Sequence, residues 1–327
     1  MLLKFTFRFC VVLVCLITLC AASESRAADT IRIITTGKGS VLEWPLFIGN
    51  AKGFFKSRNL TLDLIAAPSA SAGVQQVAAG AGELTAGGIV DPIRAIDRGA
   101  ALSLLVFETK VGPYSIWAKP NIKTFTDLKK KMVIVGGAKD ITRTYFERMA
   151  KPNGLNPGDY DLTYAGTTAS RYAALVSGAV DAAILYPPAI FKAAEAGYSK
   201  LGELGDYVKD LPFTGYSIDT AWAKSHPNQV RSFLAGLEES TKWFYEPANR
   251  EEAIKIYMVA SGSEQSDAEK SYDYFVGLGI YPKTMALTPD MLESTVKLLA
   301  DAKELEGPAD AKRFIDPAVN ALLKPAP

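Results

Sequence analysis

Apolar positions along the chain come in two rhythms. Short apolar or alternating runs stop at glycine or proline, and longer stretches place apolar residues three or four apart. Such runs read as strands and amphipathic helices. Strands are predicted at Thr30–Thr35, Leu60–Ala66, Leu84–Ile89, Ala101–Phe107 and Tyr114–Ala118. Between them lie helices at Glu43–Lys56, Ala70–Ala79 and Asp91–Asp97. The last has Asp91 as N-cap and Pro92 as first helical residue. The stretch from Thr124 to Pro188 repeats this grammar. Met132–Val135 is a buried strand stopped by Gly136-Gly137, and Ile141–Ala150 is a helix with Tyr145, Phe146 and Met149 on one side. Tyr160–Ala165 is a strand, Ser170–Ser177 a helix closed by Gly178, and Val180–Tyr186 a strand cut off by Pro187-Pro188. Beyond it come a helix at Ala189–Ala196, a polar stretch to Asp210 and a strand-like run at Thr214–Ala223. The remainder is helical: Asn228–Phe244, Arg250–Val259, Ser266–Val276 and Pro289–Ala302.

Strands alternating with helices predict parallel pairing with right-handed crossovers, an α/β architecture. Two units of similar grammar predict two similar lobes, each a mainly parallel sheet flanked by helices. The chain crosses between them near Lys119-Pro120 and again near Thr214-Gly215. Lobe 1 is then 28–118 with 215–327, and lobe 2 is 119–214.

The N-terminus changes the picture of where this chain works. Lys4 and Arg8 precede an apolar core at Phe9–Leu19, and Ser25-Arg26-Ala27 offers small residues before Ala28. That order is an export signal, residues 1–27, cleaved before Ala28. Leu19 before Cys20 argues against a lipoprotein. Cys10, Cys15 and Cys20 all fall inside the signal, so the mature chain has no thiol and no disulfide. A net charge of +1 gives no footing for nucleic acid.

Little in the chain suggests catalysis. His226, the only histidine, sits at a helix start in Ser225-His-Pro-Asn. No P-loop, nucleophile elbow or dinucleotide fingerprint occurs. The acidic groups Glu238-Glu239 and Asp301/Glu304/Glu306 read as solvated helix faces. No catalytic residue, metal site or cofactor is expected. A binding site is better supported. In open α/β sheets ligands lie beyond the carboxyl ends of strands, where helix N-termini offer free N–H groups that suit anions. Five such loops are readable: Gly39–Trp44, Pro68–Ala72, Gly87–Asp91, Gly137–Thr142 and Gly166–Ser170.

The order Phe125-x-Asp-Leu-Lys-x-Lys, Val135-Gly, Gly154-Leu, Asp159, Tyr164-x-Gly-Thr, Arg171-x-Ala-Ala-Leu, Gly178-x-Val-Asp-Ala and Pro187-Pro188 resembles the second lobe of periplasmic substrate-binding proteins of ABC importers. The branch is the one for taurine, alkanesulfonates, nitrate, aromatic carboxylates and pyrimidine precursors. The resemblance implies a type II-like two-lobed fold, a ligand cleft between the lobes, hinge closure and docking on an inner-membrane permease. It also implies a periplasmic location and, as we read it, a monomer. The pyrimidine-precursor branch includes synthases that use a cysteine- and histidine-rich segment, which this mature chain lacks. The resemblance puts the five loops on the cleft.

Ser40, Trp44, Ser69, Gly88, Thr142, Thr167, Thr168, Arg171 and Tyr186 are the expected ligand contacts. Hydroxyls, helix N-termini and Arg171 favour a small organic anion, with Trp44 and Tyr186 as walls for its body. A neutral heterocycle is the alternative ligand, and an enzyme or sensor on the same fold the alternative role. Asp91 and Asp181 are read as holding backbone turns.

Overall fold

The computed structural model describes residues 29–208 and 211–323. The expected export signal, with Cys10, Cys15 and Cys20, lies outside the described residues. The first sheet is built from β1 (Asp29–Thr36), β2 (Leu60–Ala67), β3 (Leu84–Gly88) and β4 (Leu102–Thr109). The second is built from β5 (Ser115–Ala118), β6 (Met132–Val135), β7 (Asp161–Tyr164), β8 (Ala182–Leu185) and β9 (Ser199–Glu203). A last strand, β10 (Thr214–Asp219), returns to the first sheet. The strand orders are β2-β1-β3-β10-β4 and β7-β6-β8-β5-β9.

These orders are the same plan used twice. In each sheet three strands pair parallel, β1 with β2 and β3, β6 with β7 and β8. The other two pairings of each sheet are antiparallel, and both involve the one strand that has just crossed from the other lobe. β10 inserts between β3 and β4, and β5 inserts between β8 and β9. Each sheet is therefore mixed, with four strands running one way and the crossing strand against them. The exchange makes each lobe's sheet depend on chain supplied through the other.

It also moves the first crossing. β5 pairs with β8 from Ser115 to Ala118, so it belongs to the second sheet and not to the first. The chain crosses between Thr109 and Ser115, upstream of the expected position at Lys119-Pro120. Periodicity identifies a strand but not the sheet it joins. The return falls at Thr214, one residue from expectation. The two crossings lie side by side, and the Thr109 and Thr214 hydroxyls are hydrogen-bonded at 2.7 Å in a buried position.

Most helices form where the apolar spacing placed them. The main omission is β9, which lies in the stretch read as polar. It is a half-exposed edge strand carrying Lys200 and Glu203, as edges that resist further pairing do. The C-terminal helices pack over the first lobe, and one of them, Gln265–Leu278, reaches the second. From it Asp267 pairs with Lys192 at 2.9 Å, and Tyr274 Oη donates to Glu203 at 2.6 Å.

Trp44 shows what binds this helical layer to the first lobe. It is fully buried, stacked on Tyr257 at 4.4 Å and edge-on to Phe244 and Tyr272. Its indole N–H donates to the Ala253 carbonyl at 2.9 Å. Tyr272 and Tyr281 likewise donate to the Phe244 and Val41 carbonyls. Buried aromatic tips need such partners, and here they tie three helices to the loop after β1.

Candidate functional site

The strand ends of both sheets meet across an enclosed cavity of about 60 Å³. The first lobe lines it with Thr36 at the end of β1, Gly87 and Gly88 at the end of β3, Glu108 on β4 and Thr214 at the start of β10. The loop before the first helix adds Ser40, Leu42 and Glu43. The second lobe adds Asp140, Ile141 and Thr142 after β6, Gly166–Thr168 after β7, and Tyr186 after β8. A second cavity of about 400 Å³ shares Thr36, Ser40, Thr167, Thr168 and Tyr186 with the first. It opens outward past Tyr172, Pro187, Pro188, Lys192 and Tyr257. The result is a small inner chamber with a wider vestibule, and Tyr186 stands between them.

Seven of the nine expected contacts line the inner chamber: Ser40, Gly88, Thr142, Thr167, Thr168, Arg171 and Tyr186. Several are already committed locally. Ser40 Oγ accepts from the Leu42 N–H at 3.3 Å, and Thr167 caps its helix through the Ser170 N–H at 3.2 Å. Thr142 Oγ1 accepts from the Gly136 N–H at 2.7 Å and donates to Asp140, the cap of its helix. Gly87 is required by space: a Cβ there would sit 2.6 Å from Thr36 Oγ1. Tyr186 joins the two walls. Its phenol lies beside Ser40 of one lobe and Thr168 of the other, and its ring meets Tyr114 edge-on at 5.2 Å.

Two expectations fail. Trp44 is in the core described above, because its position on the first helical turn faces the C-terminal helices and not the cleft. Ser69 caps the helix Ala70–Ala78 by accepting from the Ala72 N–H, and it does not line the chamber. Arg171 lines the chamber, yet its guanidinium is largely occupied by the protein itself. It is 1% exposed, and Nε donates to the Ile184 carbonyl at 2.8 Å, Nη1 to the Ala165 carbonyl at 2.9 Å and Nη2 to Thr168 Oγ1 at 2.7 Å. The guanidinium bolts β8 to the end of β7 and to the following helix, so most of its donors are spent.

The charged side chains that the sequence reading missed are acids. Glu43 and Glu108, at 3% and 4% exposure, line the first-lobe wall beside each other. Burial, then the charge of Glu108, pushes Glu43 well above the ordinary carboxylate range. Burial raises Glu108 to about 8, against hydrogen bonds from Tyr216 and Thr214. Asp91 rises to about 7 through burial and then through Asp140, which faces it from the other lobe; Arg94 opposes the shift. Asp91 is not a cap. Its helix begins one residue earlier, at Val90, with no capping side chain, which frees the carboxylate for the chamber. Asp181 does hold a turn, accepting from Lys119 Nζ and the Met132 N–H. One signal for the acids was legible: β4 is buried along its whole length, and a glutamate there needs a reason. Among the described residues no three histidine, cysteine or acidic side chains converge as a metal site.

Two α/β lobes joined by paired crossings, with a cavity at the strand ends between them, define the type II periplasmic binding protein fold. Solved structures share it. The alkanesulfonate-binding protein SsuA from Xanthomonas axonopodis pv. citri, bound to MOPS, is 17% identical with a TM-score of 0.72, over 89% of this chain and 97% of that one. The ligand-binding component of an ABC-type import system from Staphylococcus aureus, with zinc bound, is 11% identical with a TM-score of 0.76, over 91% and 100%. The desulfurization enzyme DszB is 14% identical with a TM-score of 0.67, over 90% and 99%. No curated protein matches the chain in sequence. The family model described as NMT1/THI5 like matches residues 43–250, and the chain belongs to that family.

Proposed function

We propose that this protein is the solute-binding component of an ABC importer, exported to the periplasm and delivering its ligand to an inner-membrane permease. The observation that carries this reading is the chamber itself. Its walls come from strand ends of both lobes, so a ligand inside touches both and favours the closed form by its differential affinity. The family and two of the structural likenesses support the same role. DszB has the same fold and is an enzyme, so fold alone does not exclude chemistry. Nothing in the chamber is tied to a reaction: its hydroxyls cap helices and its guanidinium braces backbone.

The ligand is a small organic solute. For an anion such as a sulfonate, carboxylate or nitrate, the chamber offers helix-start N–H groups and the residual field of Arg171. Its other charged groups are carboxylates, which count against that choice. Native mass spectrometry of protein released gently from the periplasm tests the role. The expected result is one small molecule bound per chain, displaced intact on denaturation. Release of a chemically altered molecule on prolonged incubation would favour an enzyme. No bound or bindable small molecule would remove the reading.

A further inference from the structure

The chamber's charge leads beyond the general role. Glu43 and Glu108 stand together on one wall, and Asp91 faces Asp140 across the cleft. Glu43 is buried and lines the cavity, and its carboxyl is held by a backbone hydrogen bond at Thr36. Of the nearby cations, Arg171 is engaged with carbonyls and Thr168. Arg94 is buried and paired with Glu304, with Asp91 at 3.6 Å. Closing the lobes therefore brings acid against acid in a space with little water to screen them. Like charges so placed repel unless something neutralises them.

We propose that the solute carries a cationic head, an amidinium or ammonium group, which sits in the inner chamber between Asp91 of the first lobe and Asp140 of the second, with Glu43 completing its shell. This rests on the solute-binding reading. A cation between opposed carboxylates converts a repulsion that resists closure into an attraction that drives it, so charge recognition and hinge motion are one event. The ligand's body lies in the vestibule. There Tyr172, Tyr257 and the Pro187-Pro188 segment give apolar walls and Tyr186 separates head from body. A planar or apolar body of one ring fits such walls.

The test uses three probes of one shape and different charge: benzamidine, benzamide and benzoate, with toluenesulfonate as a second anion. Each is titrated calorimetrically into the exported protein after its co-purified solute has been stripped. Benzamidine should bind, and benzoate and toluenesulfonate should not. Benzamidine affinity should rise from pH 5.5 to pH 8.5, as Asp91 loses its proton against Asp140, Arg94 and Glu304. A protonated acid that donates to an anion or a neutral acceptor gives the opposite slope.

Asp91→Asn and Asp140→Asn should each weaken benzamidine at least tenfold. Asparagine caps a helix as well as aspartate, so Asp140→Asn separates charge from folding. His226→Ala should bind as the wild type does. Binding of benzoate or toluenesulfonate without benzamidine overturns the cationic head and leaves the solute-binding role standing. Binding by none of the four also overturns it, and the role is then decided by the mass spectrometry above.

Discussion

The Arg171 guanidinium ties β8 to the end of β7 and to the following helix, and the Trp44 indole ties the helical layer to the first lobe. Removing the guanidinium takes a donor from the buried Ile184 carbonyl, the part-buried Ala165 carbonyl and the buried Thr168 hydroxyl. Each such loss costs about 1–3 kcal/mol. Arg171→Met should lower the melting temperature of the ligand-free protein as well as any affinity. Trp44→Ala should cost roughly 3–5 kcal/mol of stability by emptying an aromatic cluster, with binding lost only as folding is lost. Thermal melts of the two variants without ligand check both statements, and wild-type stability in either would refute its part.

The carboxylates make a different prediction. An acid whose pKa is raised by folding stays protonated when the unfolded chain has already ionised. Its penalty is absent below the unfolded value, grows as pH rises towards the folded value and is constant beyond it. Glu108 is raised to about 8 and Asp91 to about 7. Ligand-free protein should therefore melt lower at pH 8.5 than at pH 5.5. Glu108→Gln, which still lets Tyr216 donate to a carbonyl, should flatten that slope by several degrees. A wild-type profile that rises across this range would contradict the burial of these acids. Sequence patterns could not show the acids as a group. Glu43, Asp91, Glu108 and Asp140 come from four separate loops or strand ends, and only the packing of two lobes brings them together. The loops themselves were legible, because the ends of strands at Gly87-Gly88 and Gly136-Gly137 are marked by glycine.

At the scale of elements, strands and helices fall close to where apolar spacing set them, since each buries a face that its sequence has to supply. What spacing lacks is pairing. The same pattern at 115–118 suits an antiparallel place in either sheet, so the crossing was misplaced by several residues. The edge strand Ser199–Glu203 was lost because an edge carries polar residues. The helix Gln265–Leu278 was found, but not its reach to the second lobe. Asp267, at 5% exposure, depends there on Lys192. Lys192→Met should leave that carboxylate buried and unpaired, which costs more than the exposed half of the pair would suggest. The variant should close less readily. A several-fold weaker affinity for the native solute, with a lower melting temperature of the solute-bound protein, is the expected calorimetric result. Unchanged affinity would mean that this contact does not latch the cleft.

On the scale of the whole molecule, two sheets of the same plan exchange one strand each, and the paired crossings at Thr109 and Thr214 leave a narrow waist. The described residues show the lobes closed on each other, with a Cβ at Gly166 placed 3.0 Å from the Pro68 carbonyl across the cleft. A solute held between lobes that meet this way is taken up and released by opening. Small-angle X-ray scattering of the protein as isolated with its solute, and again after the solute is stripped and the chain refolded, measures that motion directly. The account predicts a larger radius of gyration in the stripped protein and a return to the compact curve when solute is restored. Superimposable curves in all three samples, with solute occupancy confirmed in the first and last, would contradict capture by closure.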